Sequence, residues 1–174
     1  MKVIFVGRLY SGFEESLRNA VWQPGGLPSI YKWLDFLEER AELRILFTAK
    51  DSGSTYQSNW LDREDVEISL NEFRNSIKVM AGYSRFKGRY TRKIRMILRD
   101  IIQCYTIIRE VYKFKPDLIY VDSANVIPAS ILSVIQSRPV VLRVLGACSW
   151  WWSVPQSKRW IDKLYKIALR ARFD

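Results

Sequence analysis

Four short apolar runs limit what this chain can fold into: Val3–Val6, Leu43–Thr48, Leu118–Val121 and Val140–Val144. Near-continuous apolar runs of this length read as strands covered on both faces, as in parallel sheets. Amphipathic stretches lie between and after them. Ser29–Arg40 puts Ile30, Trp33, Leu34 and Leu37 on one helical face, with Pro28 suited to the first turn. Thr91–Lys113 carries an apolar stripe of Ile94, Leu98, Ile101, Tyr105, Ile108 and Tyr112. Asn125–Gln136 and Gln156–Arg170 complete the set. Strands alternating with helices predict an α/β fold: a Rossmann-like, doubly wound parallel sheet in three α/β/α layers. The 174 residues suit a single domain spanning 1–174. Asp65–Leu70 reads as one further short strand, while Arg8–Gln23 and Asp51–Trp60 read as loops.

Such sheets bind ligands at the carboxyl ends of their strands, near the point where the strand order reverses. The residues predicted there are Gly7 and Arg8, then Asp122 and Ser123, then Leu145 and Gly146. Pro24-Gly25-Gly26-Leu27-Pro28 belongs to the same edge, because it opens the first predicted helix. Two glycines before a helix let another molecule approach its unpaired N–H groups and positive dipole end, a place suited to phosphate. They also serve as ordinary loop punctuation. Arg8 is placed to clamp an anion. Asp122 fits a helix cap or turn residue. Arg143, inside an apolar run, reads as an ion-pair partner.

The chain has no histidine, which excludes catalytic triads and imidazole acid–base chemistry. Cys104 and Cys148 form neither a disulfide framework nor a metal-ligand spacing, so a cytoplasmic, reducing home and no metal are expected. Met1-Lys2 leads straight into an apolar strand, so no secretion signal and no membrane span are expected.

The positive charge is uneven. Residues 76–115 hold 11 basic and 2 acidic side chains, whereas residues 1–75 hold 9 and 12. Concentrated positive charge implies an anionic partner. Arg92, Arg95 and Arg99, at helical spacing, suit the headgroups of an anionic membrane, or simply a solvated face. Nucleic acid is not expected, since no recognition motif accompanies the charge. The first strand is not followed by G-x-G-x-x-G, which disfavours a dehydrogenase-type domain. Trp150-Trp151-Trp152 suits sugar stacking, a domain interface or a membrane interface.

Several pieces in order resemble a known family. Lys2-Val3-Ile4-Phe5-Val6-Gly7 precedes Gly25-Gly26, and a helix ends in Leu37-Glu38-Glu39-Arg40. Lys115-Pro116-Asp117-Leu118-Ile119-Tyr120-Val121 and Arg138-Pro139-Val140-Val141-Leu142-Arg143-Val144-Leu145-Gly146 follow. Together they resemble the amino-terminal half of a GT-B glycosyltransferase of the family-4 (group 1) type. The resemblance implies an acceptor-side domain whose donor-binding second domain lies outside this chain. It implies transfer of a sugar from a nucleotide-sugar, the donor substrate and not a cofactor, to an acceptor hydroxyl of an envelope glycan or lipid-linked precursor. Gly25, Gly26 and Arg8 would meet the donor phosphates. Asp122, Ser123, Asn125 and Gly146 would line the acceptor floor. The family often carries histidines where this chain has Asp122 and Leu145, so those roles do not transfer and the catalytic residue stays open. The enzyme would be cytoplasmic, peripheral on the inner face of the membrane. The alternative is a non-catalytic basic module docking on an anionic membrane or on a catalytic partner.

Overall fold

The structure, a computed structural model, describes residues 1–25, 28–49, 60, 64–80 and 89–144. Along the chain these form β1 (Lys2–Arg8), α1 (Ser11–Arg18), α2 (Pro28–Arg40), β2 (Glu42–Thr48), β3 (Val66–Ile68) and β4 (Ile77–Met80). Then come α3 (Arg89–Phe114), β5 (Leu118–Asp122), a 3-10 turn (Ser123–Asn125), α4 (Val126–Ile135) and β6 (Val140–Arg143). The six strands make one mixed sheet in the order β3-β4-β2-β1-β5-β6. Five run parallel, and β3 pairs antiparallel with β4, which departs from the wholly parallel expectation.

β1 is central because both of its faces are apolar. Val3 and Phe5 enter one cluster with Phe13 and Leu17 of α1 and Ile30 and Leu34 of α2. Ile4 and Val6 enter a second with Ile107 and Val111 of α3 and Ala129 and Leu132 of α4. The period-two alternation of a strand divides its side chains in this way.

Three local expectations are corrected. Arg8–Gln23 is not all loop: Phe13 and Leu17, four residues apart, bury one side of α1, and Glu14 pairs with Arg18 at 2.9 Å. The strand β4 was not expected, because Lys78 interrupts its apolar pattern. Lys78 is buried, and its Nζ meets Glu110 at 3.0 Å and Asp65 at 3.6 Å. A buried ammonium is tolerated where carboxylates answer it.

The third correction concerns the long helix. Its sheet-facing side consists of Cys104, Ile107 and Val111 with Arg99, Gln103, Thr106 and Glu110. The stripe expected to pack inward faces out instead: Ile94, Leu98, Ile101, Tyr105 and Tyr112 are all exposed, and only Ile108 is partly covered. Two of these polar residues are bonded across to the sheet side. The Gln103 amide donates to the Ala49 carbonyl at 3.1 Å, and Glu110 takes both Lys78 and Arg44. Among the described residues, no helix is long and apolar enough to cross a membrane.

Candidate functional site

β1 and β5 are neighbours, yet the chain runs from β1 out to β2 on one side and reaches β5 on the other only later. The strand order therefore reverses between them. In open sheets the helices at such a reversal diverge to opposite faces and leave a crevice at the carboxyl ends. Arg8 closes β1 and Asp122 closes β5.

Asp122 ties this edge together. It is 1% exposed. One carboxylate oxygen accepts from the Ala124 N–H at 3.1 Å and the Ser123 hydroxyl at 3.3 Å, capping the 3-10 turn. The other accepts from the Tyr10 hydroxyl at 3.2 Å and, at a long 3.5 Å, from the Arg8 N–H. The cap is thus what the structure shows. Asp122 does not stand open as a floor for a sugar hydroxyl; it holds the β1–α1 turn against the end of β5.

The residues around it are half-buried: Arg8, Tyr10, Ser123 and Arg143. The Arg8 guanidinium lies 5.9 Å from the centre of the Tyr10 ring. Arg143 is the sheet partner of Asp122 in the β5–β6 register. Burial pushes the Tyr10 phenol well above its ordinary value, and the charge and hydrogen bond of Asp122 add to this. Arg8 and Arg143 pull it back. Tyr120 is also raised, by burial first; Arg143 lowers it and Asp122 raises it. Two guanidinium groups and one carboxylate therefore act on a single small region. Guanidinium groups at such an edge suit an anionic ligand.

Beneath them lies Asn125, 2% exposed. Its amide oxygen stands 3.1 Å from the Thr48 hydroxyl, which also lies 3.2 Å from the Gly7 carbonyl. A hydroxyl has one hydrogen, so it donates to one of these only. The Asn125 amide nitrogen is buried and meets no partner among the described residues. Turning the amide over would satisfy Thr48 and leave the oxygen over instead. Either way one buried polar atom stands spare, an arrangement that clusters at binding sites.

Gly25 lies against Gly12, in the first turn of α1, four residues after Arg8. Its N–H donates to the Gly12 carbonyl at 3.3 Å. The glycine loop therefore rests on the start of α1, close in sequence to the crevice. Gly26 and Gly146 lie outside the described residues, as do Trp150-Trp151-Trp152 and the Gln156–Arg170 stretch. The side chains of Arg92 and Arg95 are likewise outside. Arg99 is corrected: it is 4% exposed and bonds Asp100 at 3.1 Å, so it presents no charge to a membrane.

Sequence reasoning missed Tyr10 and Thr48 and gave Arg143 a purely structural role. Tyr10 had a signal, since it stands in the first turn after β1. Thr48 had another, as the last residue of an apolar strand. About 560 Å³ of open space lies at the opposite edge of the sheet, lined by residues such as Lys2, Glu42, Asp117 and Arg138. Several of its charges already pair, Lys2 with Glu42 at 3.3 Å and Arg138 with Asp117 at 3.4 Å, so it is a weaker candidate. Among the described residues no group of three His, Cys, Asp or Glu is placed to hold a metal ion.

No family model matches the chain, and neither the curated proteins nor the solved structures give a match.

Proposed function

We propose that this chain is the amino-terminal, acceptor-side half of a GT-B type glycosyltransferase, with a Rossmann-like, three-layer, doubly wound fold. One observation carries the proposal: Arg8, Tyr10, Asp122 and Arg143 meet at the carboxyl edge where the strand order reverses. Arg8 and Arg143 would attract a donor phosphate. Ser123, half-buried at the edge, would hydrogen-bond a sugar hydroxyl, with the buried Asn125 supporting the floor beneath it. Asp122 would act as a positioning residue through Tyr10. Gly25, with Gly26 beside it, would leave the backbone open to approach. Catalysis would rest on positioning and electrostatics at a crevice shared with a second domain.

Saturation-transfer NMR of the chain with a uridine or guanosine diphosphate-sugar and an oligosaccharide acceptor tests this. The expected result is transfer to acceptor protons and its loss in Arg8→Gln. Absence of transfer to every nucleotide and saccharide tried would set the proposal aside.

A further inference from the structure

The outer side of α3 is apolar in a way the core does not explain. Tyr105 is 64% exposed and Ile94 60%, with Leu98, Ile101 and Tyr112 also more than half exposed. Ile97 and Ile102 border them. α4 packs beside α3 on the same face of the sheet and adds Val134, 76% exposed, with Ile131 and Ile135. Scattered exposed apolar residues are normal, but a continuous apolar face marks a docking surface.

Charge says what covers it. The α3 sequence opens with Arg89, Arg92, Lys93 and Arg95, and no acidic residue stands in its first turn. Cations at this end oppose the helix dipole, whose amino end is already positive. A chain that carries charge there against its own helix favours an anion outside it. The only acids in α3, Asp100 and Glu110, are engaged by Arg99 and by Lys78 and Arg44. A second copy is disfavoured, because the whole chain carries a formal charge of +10. The chain's own residues 145–174 are also basic, with six Lys or Arg against two Asp.

We propose that the outer face of α3, extended by the exposed edge of α4, lies on an anionic lipid surface. The isoleucines and Leu98 enter the acyl boundary. Tyr105 and Tyr112 sit at headgroup depth, where an aromatic ring with a hydroxyl is favoured. The basic amino-terminal turns of α3 meet lipid phosphates. From Ile94 to Tyr112 the stripe runs for about 27 Å at the helical rise, long enough to set the domain flat against a bilayer. This placement does not depend on glycosyl transfer.

Vesicle flotation of the whole chain tests it without any sugar present. Vesicles of phosphatidylcholine alone are compared with vesicles in which about a third of the lipid is phosphatidylglycerol. The expected result is binding to the anionic vesicles only, and roughly tenfold or more weaker binding by the double variant Leu98→Asn, Ile101→Asn. Both positions are exposed, so circular dichroism and the melting temperature stay at the parent values. Failure of the parent to float with anionic vesicles overturns the proposal. So does parent-like flotation of the folded double variant, or a stable dimer in light scattering that the double variant abolishes.

Discussion

Gly12 and Gly25 meet backbone to backbone: a β-carbon on Gly12 would run into the Gly25 carbonyl oxygen. The two are not symmetric. Among the described residues, a β-carbon on Gly25 would find only the Gly12 α-carbon, at 3.9 Å, which is ordinary contact. Gly12→Ala would gain about 1 kcal/mol of helix propensity, but the overlap is with backbone, which does not swing aside. The clash wins. Gly12→Ala is expected to lose about 1–3 kcal/mol in urea unfolding, and Gly25→Ala to stay within about 0.5 kcal/mol.

Lys78 and Glu110 give the buried pair on which β4 depends. Burial pushes the Glu110 carboxyl up, but the hydrogen bond and charge of Lys78, with Arg44 behind them, outweigh it and hold it below its usual range. A depressed carboxylate contributes stability above its unfolded value, about 4.3, and that contribution is lost as pH falls through the lower folded value. Glu110→Ala leaves Lys78 with Asp65 alone at 3.6 Å. Breaking such a pair from one side costs about 3–5 kcal/mol. The unfolding free energy in urea at neutral pH is expected to fall by that amount, and the variant's stability is expected to fall less than the parent's below about pH 4.

Glu38 has the opposite sign. Burial raises its pKa, only partly offset by the Arg74 N–H, which donates at 2.7 Å, and by the Arg74 charge. Its other oxygen is buried without a partner among the described residues. Ionisation therefore costs folded-state stability as pH rises from about 4.3 through the raised value. Glu38→Gln keeps an acceptor for Arg74 and removes that charge. It is expected to raise the melting temperature at pH 7, with the gain vanishing near pH 4.

Tyr10 and Tyr120 are both held above the ordinary phenol value, so they stay protonated in the fold while an unfolded chain would ionise. The folded state then binds more protons, and stability is expected to fall as pH rises past about 10. Absorbance titration should show Tyr10 and Tyr120 resisting ionisation until the chain unfolds. Tyr10→Phe should leave one, and should cost about 1 kcal/mol for the lost bond to Asp122.

The strands β1, β2, β5 and β6 were legible because each carries an apolar run that little else satisfies. So were α2 and the extent of α3. β4 was not, because its Lys78 is answered by Glu110, which lies 32 residues further on. No local pattern reports such a partner. The orientation of α3 was misread for the same reason: Arg99, Gln103 and Glu110 look like a solvated face until their partners are known. At the crevice, Arg8 and Asp122 were found by their place at strand ends. The role of Asp122 as a cap holding Tyr10 emerges only where β1 and β5 lie side by side.

The most direct test of the crevice is amide chemical-shift mapping of the isotopically labelled chain against uridine diphosphate and pyrophosphate. The expected result is perturbation centred on Arg8, Tyr10, Ser123 and Asn125, abolished in Arg8→Gln while the fold persists. Perturbation confined to Lys2, Glu42 and Asp117 at the opposite edge, or no perturbation by either anion, would contradict the assignment.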